Sequence, residues 1–156
     1  MKRIIAPALL LATFLAPNLT HAADGHFKNH TIGVFAGATF NDGDSENSYG
    51  LEYEYKFNRD WGVGLVYEKT PDAHHDDGVT IQLASVYAHL TENWRIGLGF
   101  GQEKVGGSHS FTENLIRTSV SYDFHLGNFG IAPSLAFDTV DGETATVVGV
   151  AFLVSF

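Results

Sequence analysis

Over 48–57 the chain reads SYGLEYEYKF, with Tyr49, Leu51, Tyr53, Tyr55 and Phe57 alternating with Ser48, Gly50, Glu52, Glu54 and Lys56. A period of two puts every apolar residue on one face of a strand, which no helix can do. The alternation recurs as Trp61, Val63, Leu65 and Tyr67, as Trp94, Ile96, Leu98 and Phe100, and as Ile116, Thr118, Val120, Tyr122 and Phe124. It appears again in Phe129, Ile131, Pro133, Leu135 and Phe137, and in the closing Val148, Val150, Phe152, Val154 and Phe156. Two segments are less regular. In 30–40, Phe35 falls on the polar face; in 79–90, Tyr87 predicts an outward set of Val79, Ile81, Leu83, Ser85 and Tyr87. Eight strands follow.

The connections alternate in kind. NRD (58–60), TEN (91–93) and HLGN (125–128) are tight, whereas 41–47, 71–78 and 105–114 read as longer polar loops, and DGET (141–144) is short and acidic. Links this short force each strand to pair with its chain neighbour, which gives an antiparallel up-and-down meander. Eight such strands with two unlike faces are expected to close into a barrel, because closure removes the unpaired edges.

The polar face decides which side meets water. A solvated face calls for long charged side chains, but this one carries Gly62, Gly64, Gly97, Gly99, Gly101, Gly130, Ala132, Ser134 and Ala136, which suit a narrow packed lumen. Tyr55, Phe57, Trp61, Trp94, Tyr122, Phe124 and Phe129 all lie beside the tight turns and form one interfacial aromatic girdle. Ten residues at roughly 3.3 Å each, tilted by about 40°, rise about 25 Å, the height of a lipid-facing apolar band. The expected fold is all-β: an eight-stranded antiparallel transmembrane β-barrel with its apolar face outward.

The start of the chain agrees with that location. Met1, Lys2 and Arg3 precede an apolar run over 4–15, and Thr20 and Ala22 stand three and one residues before a cleavage point, so 1–22 reads as a cleaved signal peptide. Residues 23–29 are then a leader, and 30–156 one barrel domain. Of the 9 Lys and Arg residues two fall in the signal peptide, against 18 Asp and Glu, so nucleic acid is excluded as a partner. With 0 cysteines, an exported chain cannot rely on disulfides.

The signal peptide, the eight alternating strands and the terminal VGVAFLVSF together resemble the small eight-stranded outer-membrane barrels of Gram-negative bacteria, the group of the OmpA membrane domain and OmpX. That resemblance implies periplasmic termini and tight turns, with the other four connections outside the cell. It implies that Val150, Phe152, Val154 and Phe156 form an assembly signal for the barrel-assembly machinery. It carries fold and location, not activity. As the chain closes on its last strand, no appended peptidoglycan-binding domain is expected.

Ionisable residues on the polar face are the candidate site. Counting along strands of alternating direction, Glu54, Lys56, Arg95 and Asp123 fall toward the periplasmic end, Glu68, Glu103, Arg117 and Asp138 toward the outer end, and Glu52 between. Each layer holds both signs, and an unpaired charge in a narrow lumen costs several kcal/mol, so Arg95 and Arg117 are expected to bond these carboxylates. The network reads as a plug of salt bridges; the alternative is a narrow ion path.

Other residues offer weaker chemistry. His74, His75, Asp76 and Asp77 could offer ligands to a cation, but adjacent loop residues rarely meet a tetrahedral site unaided, and a solvated acidic loop is the plainer reading. His26, His30 and His125 have no spaced partner. Ser108, His109, Ser110 and Glu113 hold the residue types of a hydrolase triad, as a lipid A-remodelling enzyme would need, without the spacing that gives its geometry. Asp42, Asp44, Glu46, Asp72, Asp76, Asp77, Asp141 and Glu143 make the outer connections acidic, either repelling neighbours or bridging through divalent cations to lipopolysaccharide phosphates. The expected protein is a monomeric, non-enzymatic outer-membrane barrel with no cofactor and no metal. Outer-membrane lipid and lipopolysaccharide are its expected partners.

Overall fold

The computed structural model describes residues 27–73 and 77–156; the expected signal peptide, most of the leader and His74, His75 and Asp76 lie outside them. The described strands are β1 (His30–Asn41), β2 (Asp44–Lys56), β3 (Trp61–Thr70), β4 (Val79–His89), β5 (Trp94–Val105), β6 (Phe111–Tyr122), β7 (Phe124–Leu126), β8 (Phe129–Val140) and β9 (Glu143–Ser155). Consecutive strands pair antiparallel from β1 to β6, β9 pairs with both β8 and β1, and the β6–β8 ladder completes the ring.

β6 and β7 form one stave. Both pair with β8 in a single register, Ser121 facing Ser134 and Phe124 facing Ile131, which sets Tyr122 opposite Pro133. Pro133 has no N–H to give the ladder, so pairing lapses there. The Asp123 N–H turns to the other neighbour and donates to Asn93 O at 2.7 Å. Eight staves therefore close the barrel, and what reads in sequence as one strand over 116–124 is broken at Asp123.

The stagger follows from the pairings. From His30 the partners run through Tyr55, Val63, Val86, Leu98, Thr118, Phe137 and Thr146 and return to β1 at Phe40, ten residues above the start. For eight staves this shear tilts the strands by about 40°.

The barrel is apolar outside and polar inside. Leu65 is 62% exposed and Phe152 59%, whereas Glu68 and Asp138 are 2% exposed. A barrel in water would reverse this, since apolar burial is its main source of stability. The tight-turn rim carries the aromatic girdle: Tyr55, Phe57, Trp61, Trp94 and Phe129 are exposed, while Tyr122 is half-buried between Trp94 at 5.0 Å and Phe124 at 4.7 Å.

β4 departs from the sequence expectation. Val79, Ile81, Leu83, Ser85 and Tyr87 point inward, and Thr80, Gln82, Ala84, Val86 and Ala88 point outward. The ladder fixes this, because paired residues share a face and Ser85 stands opposite the inward Gly64. Val79, Ile81 and Leu83 meet Ala73, Val105 and Leu115 in an apolar cluster that fills the outer end of the lumen. An apolar stripe therefore does not by itself mark the lipid face here.

The outer connections are also shorter than their composition suggests. Asp42 and Gly43, with φ of 48° and 92°, form a two-residue turn between β1 and β2; Asp141 and Gly142, at 46° and 87°, form another between β8 and β9. Asp-Gly supplies the two positive φ values that a type I′ hairpin requires. The polar residues 44–47 and 112–114 continue the strands beyond the apolar band, where neither face need be apolar.

Phe35, the misfit of β1, is a lumen residue. A Cβ on Gly149 would strike the Phe35 ring and lie 2.6 Å from the Ala36 carbonyl oxygen, so the missing side chain of Gly149 is what seats the ring. Gly149→Val is expected to destabilise the folded barrel by about 1–3 kcal/mol through overpacking. Adding Phe35→Leu should restore part of the loss in urea unfolding; strict additivity of the two changes would refute the contact.

Candidate functional site: the charged lumen

Two arginines organise the lumen, each reaching carboxylates from other staves. Arg95 on β5 donates from Nη1 to Glu54 Oε2 at 2.9 Å and from Nη2 to Glu52 Oε1 at 3.2 Å, both on β2 across the barrel. Its Nε donates to Ser121 Oγ at 3.1 Å, and its guanidinium lies 4.7 Å from the centre of the Tyr87 ring. The other carboxylate oxygen of Glu54 meets His89 Nε2 at 2.6 Å. This lower cluster ties β2, β4, β5 and β6 together near the girdle.

The upper cluster is built on Arg117 of β6. Its Nε and Nη2 donate to the two oxygens of Asp138, each at 2.6 Å, and Nη1 donates to Glu68 Oε2 at 2.7 Å. The planar guanidinium matches a carboxylate edge to edge, so the pair with Asp138 is bidentate. Arg117 and Asp138 face one another in the β6–β8 ladder, whereas Glu68 reaches across from β3. Gly62 leaves room for the Glu54 carboxylate, which a Cβ there would strike, and Gly64 and Gly97 leave room for the Tyr87 ring, which a Cβ would approach to 2.8 and 2.9 Å.

Between the clusters lies a cavity of about 60 Å³, bordered by Phe35, Ser85, Tyr87, Ser119 and both arginines. Glu52, Arg95 and Tyr87 line one end of it and Glu68 and Arg117 the other. Little is left over: Glu68 Oε1 and Asp123 Oδ1 are buried without a protein hydrogen-bond partner among the described residues.

Of the residues named from sequence, Glu52, Glu54, Glu68, Arg95, Arg117 and Asp138 are brought into these two clusters. Lys56 lies half-buried near the mouth on the tight-turn side, Glu103 stands on β5 opposite Ile81 and Glu113, and Asp123 is buried at the break in the sixth stave. His89 and Tyr87 were missing from that set. Both were hidden by the reversed face of β4, and the parity that puts Ser85 beside the glycine-lined face was the signal available.

Ser108, His109 and Ser110 lie exposed in the 106–110 connection, and no hydrogen bond joins them to one another or to Glu113 among the described residues. The candidate metal group at 74–77 falls mostly outside the described residues, and no group of three or more His, Cys, Asp or Glu side chains is placed to hold an ion among those that are described. His30 instead belongs to the seam: its Nδ1 is 2.8 Å from Tyr53 Oη, and its ring stacks on Phe156 at 5.5 Å. Val150, Phe152 and Val154 share the outward face of β9 beside that seam, and Phe156, exposed, follows directly after the strand.

No protein-family model matches the chain, and no curated protein matches it in sequence. Solved structures do match it in fold. The N-terminal β-barrel domain of Pseudomonas aeruginosa OprF superposes with a TM-score of 0.59 at 14% identity, over 83% of this chain and 100% of that one. The attachment invasion locus protein Ail of Yersinia pestis, solved with the heparin analogue sucrose octasulfate, gives 0.54 at 20%, over 83% and 97%. Neisserial surface protein A gives 0.51 at 16%, over 81% and 96%. At these identities the likeness is one of fold: a small, closed, eight-stranded outer-membrane barrel.

Proposed function

We propose that the protein is an integral outer-membrane barrel whose role is structural or one of surface interaction, with a lumen closed by ion pairs and apolar side chains. The observation that carries this reading is the inverted polarity of the wall: an exposed apolar band above an aromatic rim, around a core in which Arg95 and Arg117 are neutralised by carboxylates. Lumen charges that bond across the bore rigidify the cylinder, because each guanidinium fixes several staves relative to one another. The same contacts, with Leu115 and Ile81 above them, oppose ion passage. In this reading the termini are periplasmic, the connections 71–78 and 106–110 face outward, and the outward stripe of β9 is what the assembly machinery reads.

The reading makes a joint prediction. In cells carrying the full chain, the protein is expected in the outer-membrane fraction as a band whose electrophoretic mobility shifts on heating. In planar bilayers it is expected to show no steady conductance. Recovery in a soluble fraction would overturn the location, and steady ion-selective openings lost in Arg117 variants would establish a channel instead.

A further inference from the structure

The outward wall is almost free of charge, and its two exceptions stand together. Among the outward-facing positions of the described strands, Lys69 and Lys104 are the only Lys, Arg, Asp or Glu residues; every strand carboxylate points to the lumen or lies at a hairpin end. Both are exposed near the outer ends of β3 and β5, and they flank Thr80 of β4 in one continuous row of pairing. The two strand spacings between them put the ammonium-bearing stems about 10 Å apart. Neither forms an ion pair with a described residue, and Lys69 Nζ leans over the Tyr67 ring at 5.9 Å.

Beneath this row the wall changes character in two steps. The next outward row is Tyr67, Gln82 and Gln102, and the one below it is Leu65, Ala84 and Phe100. Over the small side chain of Ala84 lies an open groove of about 700 Å³ that runs from Leu51 and Tyr53 of β2 past Leu65 and Tyr67 to Phe100, with the two amides on its border. Reading inward from the membrane surface, the order is cation pair, hydrogen-bonding amides, apolar trough.

We propose that this face binds the lipid A moiety of lipopolysaccharide, with Lys69 and Lys104 on its phosphates, Gln82 and Gln102 on its sugar or acyl-linkage oxygens, and an acyl chain lying over Ala84. The inference rests on the outer-membrane reading above and sharpens it to one lipid. Two cations at this spacing suit a disaccharide bearing two phosphates better than the single phosphodiester of a glycerophospholipid. Asp42, Asp44, Asp141 and Glu143 make the turns at that end acidic, and Asp72 and Asp77 stand in the 71–78 connection above the row, so on this end the outward wall offers an anionic head group its two cations at Lys69 and Lys104. An interfacial cation also completes the layered order of the bilayer, since a lysine stem lies along apolar wall while its head reaches the phosphate layer.

The test uses the full chain in phosphatidylcholine nanodiscs doped with lipid A, its dephosphorylated form or phosphatidylglycerol, with retained lipid counted by native mass spectrometry. The wild type is expected to retain lipid A above both other lipids. Lys69→Gln and Lys104→Gln should each lower that retention about fivefold, and the double variant roughly thirtyfold. Ala84→Leu, which fills the trough without touching either lysine, should lower it as well. Equal retention by the double variant, or equal retention of phosphatidylglycerol or the dephosphorylated form, would overturn the site while leaving the barrel in its membrane. Failure of every form to enter nanodiscs with heat-modifiable mobility would instead overturn the outer-membrane reading beneath it.

Discussion

Arg117→Met is expected to cost the folded barrel about 3–5 kcal/mol, the largest loss from any single lumen substitution, because it leaves two carboxylates buried and unpaired. Asp138 would lose both donors of its bidentate bond, Arg117 Nε and Nη2, and Glu68 its bond across the bore, and both carboxylates are 2% exposed. The cost is that of stranded charge more than of a lost contact. Hence Arg117→Met combined with Glu68→Gln and Asp138→Asn should recover most of the stability, although it removes more polar groups. Urea unfolding in lipid vesicles, followed through the fluorescence of Trp61 and Trp94 at the rim, reads both variants. A wild-type midpoint for Arg117→Met would sink the account of the lumen as a set of mutually neutralised charges. The apolar cluster above Arg117 remains in place, so neither variant is expected to conduct.

Removing Phe156 is expected to deplete most of the folded protein from outer membranes while changing the stability of an already folded barrel little. The residue closes the seam: its N–H donates to His30 O at 2.9 Å, its carbonyl accepts from His30 N–H at 3.1 Å, and its ring stacks on His30. Those contacts sit at the end of a long ladder between β1 and β9, which retains Thr31 facing Ser155 through Phe40 facing Thr146. Losing them amounts to about 1–2 kcal/mol, a terminal fraying rather than an opening of the barrel. If the outward stripe of β9 is the proposed assembly address, the cellular defect must exceed that thermodynamic one. Quantitative blotting of heat-modifiable protein in membrane fractions, set against unfolding of the refolded variant, compares the two. Proportionate losses in both would reduce Phe156 to a structural residue.

The alternation of Tyr, Leu and Phe with Glu, Gly and Ser was sufficient to settle strands rather than helices and the eight-stave meander, and the small residues of the polar face pointed to a polar inside. Period two and short links leave no other arrangement of the chain. Strand direction and length fix depth in a meander, which is why each arginine and its carboxylates could be assigned to one layer before any contact was known. Sequence alone misled on β4, where Ile81 and Leu83 look like lipid-facing residues but pack with Val105 and Leu115 inside the outer mouth. A one-residue choice of parity reverses every side chain, and only the ladder to Gly64 and Glu68 resolves it. The same choice decided whether His89 could reach Glu54, and whether Gln82 and Ala84 faced lipid beneath Lys69 and Lys104. The local pattern thus determined which residues share a face. Which face each strand turned to its neighbours, and so which distant residues met, was decided by the closed register of the barrel, a property of all eight staves together.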